Sequence, residues 1–153
     1  LVLVANVVGA TGAAVLVVLA DGLALGGGKV LATATAIAQA KVSIEPMTGF
    51  FRGILCNVLV CMAVWLALGA REVTGKILAI VFPISAFVTL GFEHSVANVY
   101  FIVLGILVGM PGVDFQGLLA NLLPVTAGNV VGGGGLVALV YWVCYRARSS
   151  TKS

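Results

Sequence analysis

The chain has 153 residues, of which 61% belong to the set AVILMFWYC and only 8% to DEKR, against the roughly 25% charged residues of an ordinary soluble domain. That composition excludes a soluble enzyme. The net charge of +3 on so apolar a chain bears on membrane orientation and gives no reason to expect a nucleic-acid partner.

Four stretches are nearly uncharged: Leu1 to Gly28 with only Asp21, Phe50 to Gly69 with only Arg52, Ile77 to Val108 with only Glu93, and Gly117 to Tyr145 with none. Each is long enough to cross a ~30 Å hydrocarbon core at about 1.5 Å per residue. Four crossings put both ends on one side. That side holds Arg71, Lys76, Arg146, Arg148 and Lys152, against Lys29, Lys41 and Arg52 on the other, so the excess of cations predicts cytoplasmic ends. Leu1 opens inside an apolar span without a basic leader or cleavage site, which is no signal peptide. It predicts a fragment of a longer chain whose N-terminal part is absent.

In chain order, the first span carries Gly9, Gly12, Ala13 and Ala14, small residues that let helix backbones approach where lipid offers no hydrophobic drive. Lys29 to Thr48 alternates Ala with Thr and ends in Glu45-Pro46, which predicts a helical extension and then a turn. Phe50 to Gly69 is predicted as a helix that leaves at Gly69 and Arg71, with Trp65 at the interface.

Ile77 to Val108 is the unusual stretch, because ~32 residues in one straight helix would measure about 48 Å. In its middle stands Gly91-Phe92-Glu93-His94-Ser95, where an acid and an imidazole lie deep in apolar sequence. The reading is a discontinuous helix with a loop near the bilayer midplane, tolerated only where protein buries it or water reaches it. Ser95 is predicted to cap a second arm that starts at Val96. The last span holds Pro124, Gly128, Asn129 and Gly132 to Gly135, a glycine run that predicts a flat face for close helix packing. Tyr141, Trp142 and Tyr145, followed by Arg146 and Arg148, predict an aromatic and basic interfacial end.

His94, the only histidine, is the candidate functional residue, because an ionisable group inside a membrane is costly and marks function. An imidazole can lend a proton or a positive charge to a passing group, and the N-terminus of the second arm beside it would also attract an anion. Glu93 is read as pinning the loop. Asn57 and Asn129 need hydrogen-bond partners inside their spans; they either bond between helices or line a polar waist. Lys41 is either an interfacial anchor or an entry-side cation, with its composition favouring the anchor. Phe87 and Val60 have the spacing of ordinary packing residues. Cys56, Cys61 and Cys144 have no CxxC spacing and no second His to complete a metal set, so they are read as small packing residues. The sequence carries no phosphate-binding loop, nucleophile triad or paired carboxylates, and no catalysis, metal or cofactor is expected.

Three separated motifs carry a family resemblance: Arg52-Gly53-Ile54-Leu55-Cys56-Asn57 with Val60-Cys61-Met62-Ala63-Val64-Trp65; Gly91-Phe92-Glu93-His94-Ser95-Val96-Ala97-Asn98; and Asn121-Leu122-Leu123-Pro124-Val125-Thr126 with Gly128-Asn129 and the glycine run. Together, over nearly the whole chain, they resemble the formate/nitrite transporter family of small-anion channels. The resemblance implies an all-α, aquaporin-like membrane fold of six helices in two inverted repeats, each with a broken helix, assembled as a homopentamer with one pore per protomer. This chain would supply the third to sixth helices, as a single membrane domain. Carried over by motif, His94 matches the central pore histidine, Phe87 and Val60 match apolar constriction positions, and Asn57, Asn129 and Lys41 match polar positions of the pore. Gly91, Phe92, Glu93 and Ser95 match its broken-helix loop. The implied cargo is formate, with nitrite or hydrosulfide as the alternative, proton coupling is open, and the implied location is the inner (plasma) membrane.

Two rival readings compete with that one. In one, the chain is a non-transporting structural subunit whose histidine is merely packed. In the other it is a water or glycerol channel, which lacks support because the paired Asn-Pro-Ala repeats are absent and His94 beside a helix N-terminus suits anions.

Overall fold

The structure, a computed structural model, describes residues 1–149, with side chains described as far as Arg146. Among the described residues there are seven α-helices and no strand. Val2–Leu19, Pro46–Gly69 and Phe115–Arg146 are each long and apolar enough to cross a membrane, and Val73–Thr89 and Ser95–Leu107 are two shorter apolar helices. The tail cations used for orientation, Arg148 and Lys152, lie outside the residues whose side chains are described.

The chain divides into two compact units, Leu1–Gly49 with His94–Pro124, and Phe50–Glu93 with the residues from Val125 onward. In the first unit, α1 (Val2–Leu19) ends well before Gly28, where the sequence places the end of the span. The reason is local: Asp21 has φ 53°, and Gly26, Gly27 and Gly28 have φ 65°, 64° and 85°, a left-handed run that no right-handed helix can pass. After it, α2 (Lys29–Val42) is a helix of its own rather than an extension of the first span. Next, α3 (Pro46–Gly69) starts four residues before Phe50. Proline suits a first helical position, having no N–H to lose, and the Glu45 carboxylate accepts hydrogen bonds from Thr48 N–H at 2.8 Å and Thr48 Oγ1 at 3.2 Å. Those bonds, with the N–H of Met47, hold the exposed Glu45 carboxyl below its ordinary pKa.

The long third stretch is two helices, α4 (Val73–Thr89) and α5 (Ser95–Leu107). At the end of α4, Gly91 has φ 68°, Phe92 N–H reaches the Phe87 carbonyl at 3.0 Å and Gly91 N–H reaches Val88 at 3.1 Å. This paired closure is the Schellman arrangement, which needs a left-handed residue where Gly91 stands. The end of α5 repeats it with Gly109 at φ 68°, Met110 N–H on Gly105 at 2.8 Å and Gly109 N–H on Ile106 at 3.2 Å. The capping expectation at the start of α5 is corrected: His94 takes the N-cap position, with extended φ −110° and ψ 118°, and Ser95 is already helical and buried. The chain turns from extended to helical one residue earlier than the hydroxyl suggested.

The last span comprises α6 (Phe115–Val130), a π-helical segment over Val131–Val137 and α7 (Ala138–Ser149). Asp114 caps α6, its carboxylate accepting from Gly117 N–H at 2.7 Å. The π segment holds all four consecutive glycines, where the weak helix propensity of glycine allows the ladder to widen.

The first unit has a side-chain core, with α1 and α2 both packed on α5. Ala10, Ala14, Ala34 and Ala38 on the outer helices meet Val99, Ile102 and Leu104 of α5, joined by Leu23, Met110, Val113 and Leu118. Small residues on two helices and large ones on the third let the axes approach without voids. In the second unit α4 buries none of its residues. Its closest packing is instead backbone on backbone: an added Cβ at Gly128 would collide with the Phe50 carbonyl, one at Gly132 with the Ile54 carbonyl, and one at Gly53 with the Val125 carbonyl.

Candidate functional site

The residues singled out from the sequence fall into one set in each unit. In the first unit, His94 is half-buried at the head of α5, and Asn98 N–H donates to its carbonyl at 2.9 Å. Lys41 lies in the last turn of α2, the helix packed on α5. Lys41 and His94 thus belong to one unit, at the end of α2 and at the head of the apolar helix on which α2 packs.

Two amides tie this set together. Asn98 is fully buried and Asn121 is 2% exposed. Asn98 Nδ2 donates to Asn121 Oδ1 at 2.7 Å, and Asn121 Nδ2 donates to the Lys41 carbonyl at 2.8 Å. Sequence reasoning gave neither residue a role. For Asn98 a signal exists, since it follows His94 by one helical turn and so shares its face. For Asn121 no local pattern points to a backbone carbonyl 80 residues away.

In the second unit, Asn57 on α3 donates through Nδ2 to the Asn129 carbonyl. Asn129 Nδ2 donates in turn to the Gly53 carbonyl at 2.9 Å and to the Glu93 carbonyl at 3.0 Å. Both amides thus bond between elements, one of the two roles open to them in the sequence. Glu93 is 5% exposed, and its N–H reaches the Arg52 carbonyl at 3.4 Å, so the loop backbone is pinned on both sides of that residue. Gly91 and Phe92 serve the helix closure described above. Phe87 is half-buried and supplies the carbonyl for that closure. Val60 stands apart from the amide set, in an apolar groove with Ala63, Val64, Ile80, Ile84 and Lys76.

Of the cysteines, Cys56 is buried, Cys61 half-buried and Cys144 exposed, all as free thiols. Near the end of the second unit, Trp65 meets Tyr141 edge-on at 6.2 Å, Tyr141 stacks on Tyr145 at 4.3 Å, and the Arg146 guanidinium sits 4.7 Å over Trp142. The neighbouring 710 Å³ groove, lined by Val58, Met62, Trp65, Leu136, Val140 and Tyr141 among others, offers little to bind a small anion.

The family described as formate/nitrite transporter matches residues 1–143. The chain is 50% identical over 120 residues to a probable formate transporter of Methanothermobacter thermautotrophicus, covering 76% of this chain and 43% of that one. It is 41% identical over 111 residues to the formate channel FocA of Escherichia coli (strain K12), covering 61% of this chain and 39% of that protein. Its fold is similar to that of a pentameric formate channel with formate bound, with a TM-score of 0.81 and 30% identity over 91% of this chain and 62% of the other. The chain thus spans about two fifths of the length of those two relatives. Its apolar helices have the all-α membrane fold of such channels, and a match over nearly its whole length shows that the chain belongs to the formate/nitrite transporter family.

Proposed function

We propose that this chain forms part of a membrane channel for small monovalent anions, with formate as the first cargo and nitrite or hydrosulfide as the alternative. The observation that carries the reading is His94 at the head of α5, inside otherwise apolar sequence, with Lys41 in the last turn of the helix that packs on α5. An anion entering there meets the ammonium first. The imidazole then supplies positive charge or a proton, which lowers the cost of passing the apolar constriction assigned to Phe87 and Val60. Asn57 and Asn129 provide the polar frame, and Gly91, Phe92, Glu93 and Ser95 shape the broken-helix loop. The two relatives named for formate and the formate-bound neighbour support formate. The same neighbour, a pentamer, supports a homopentamer of the complete protein. We place the protein in the cytoplasmic membrane as a single multi-pass domain, with both ends of this segment in the cytoplasm.

The test is flux of formate, nitrite and hydrosulfide into liposomes holding the complete protein, across pH, beside His94→Asn. Formate is expected to move fastest, faster still at acidic pH, and the variant is expected to lose that dependence. If no anion moves and the variant is indistinguishable from the parent, His94 leaves the mechanism and the structural-subunit reading takes its place.

A further inference from the structure

We propose that Asn121 is a positioning residue, whose one buried amide bridges Asn98 to the Lys41 carbonyl and so holds the end of α2 that carries Lys41 to the turn of α5 that carries His94. The inference rests on the anion-channel reading above. Three bonds form the chain of support: His94 carbonyl from Asn98 N–H, Asn98 Nδ2 to Asn121 Oδ1, and Asn121 Nδ2 to the Lys41 carbonyl.

Each end of the bridge lands where it governs a charge. Lys41 is two residues from the C-cap of α2, in its last turn, where its carbonyl accepts from Ile44 N–H at 3.4 Å as well as from Asn121. A donor from α6 there fixes the point from which the flexible lysine stem extends. Asn98 sits one turn into α5, so holding its side chain holds the turn that carries His94. Asn121 is 2% exposed. A group so buried would be costly unless its amide were bonded, and an apolar side chain of the same size could not replace both bonds. A residue that only filled space would not need to donate and accept in these two directions.

The test is a double-mutant cycle on formate flux through liposomes holding the complete protein, with thermal unfolding of each variant alongside. Asn121→Leu is expected to lower flux about tenfold where Lys41 is intact, and to add little in a Lys41→Ala background. The fall in unfolding temperature should be the same in both backgrounds, because Lys41→Ala keeps the carbonyl to which Asn121 donates. If Asn121→Leu does not fold, Asn121→Ser, which keeps one of the two bonds, takes its place in the cycle with the same expectation in weaker form. Equal losses of flux in both backgrounds would make Asn121 a merely structural residue and overturn this inference alone. If Lys41→Ala leaves flux unchanged, this inference falls alone; if the parent itself moves no formate, the channel reading falls, and the inference with it.

Discussion

The two units of this chain solve the same problem with different materials. The first buries Val99, Ile102 and Leu104 of α5 among alanines of α1 and α2, and ties the helix ends that carry Lys41 and His94 through a pair of buried amides. The second buries little bulk. Gly53, Gly128 and Gly132 bring the backbones of α3 and the last span together, and Asn129 stitches the broken-helix loop to α3. In lipid, apolar area alone does not hold helices together, so fit and internal hydrogen bonds must. One unit obtains fit by pairing large residues with small ones, and the other by having no side chain at all. The difference predicts different tolerances: side chains of the first should be replaceable by others of similar volume, and the glycines of the second by nothing larger.

Gly132→Val gives the sharpest contrast. The added side chain would meet the Ile54 backbone, which cannot swing aside, and a cost of about 3 kcal/mol or more is expected. Folded yield in detergent, read by size-exclusion chromatography, should collapse. Next comes Ile102→Ala, which empties a fully buried position in the first unit at about 2 to 4 kcal/mol. Leu68→Ala, at a position 79% exposed, should change stability by less than about 0.5 kcal/mol. Comparable losses at Ile102 and Leu68 would erase the distinction between core and lipid-facing surface.

Asn129→Leu should cost about 1 to 3 kcal/mol by removing the buried amide bonds to the Gly53 and Glu93 carbonyls. It should also raise hydrogen exchange at Gly91 to Glu93 more than in the first unit. Gly91→Ala is smaller, about 1 to 2 kcal/mol, because alanine must take the left-handed φ of 68°. Glu45 in the first unit should give the smallest effect. Its carboxyl is held below its ordinary value by the N–H groups of Met47 and Thr48. Its contribution is therefore present above that ordinary value and lost as pH falls through the depressed one. Glu45→Gln should flatten the acid limb of the unfolding curve slightly, and an unchanged limb would show that the cap contributes nothing.

The broken third stretch was legible because a polar cluster with a glycine stood in the middle of a stretch too long for one crossing. The structure breaks it there, from Leu90 to His94. That Asn57 and Asn129 need partners was equally legible, since an amide in an apolar helix must bond to something. The end of α1 was harder to see. Leu1 to Gly28 reads as uniformly apolar, and only the positive φ angles of Asp21 and Gly26 to Gly28 stop the helix at Leu19. The start of α5 was misplaced by one residue because a serine hydroxyl signals a cap more strongly than an extended backbone at His94 does. Asn121 was illegible as a bridge, since its partners lie 23 and 80 residues away.

By itself the sequence determined that the chain belongs in a membrane, that its long third stretch breaks, and which histidine sits at the break. Those properties follow from composition, from length against bilayer thickness and from the cost of polar groups in hydrocarbon, all of which act along the chain. Only the tertiary structure decided that Asn121 bonds to Asn98 and to the Lys41 carbonyl, and that Gly128 and Gly132 lie against carbonyls of α3. These are contacts between residues far apart in sequence. Local pattern carries no information about the partner of a buried amide or about the backbone that a glycine admits, because both are set by how helices pack.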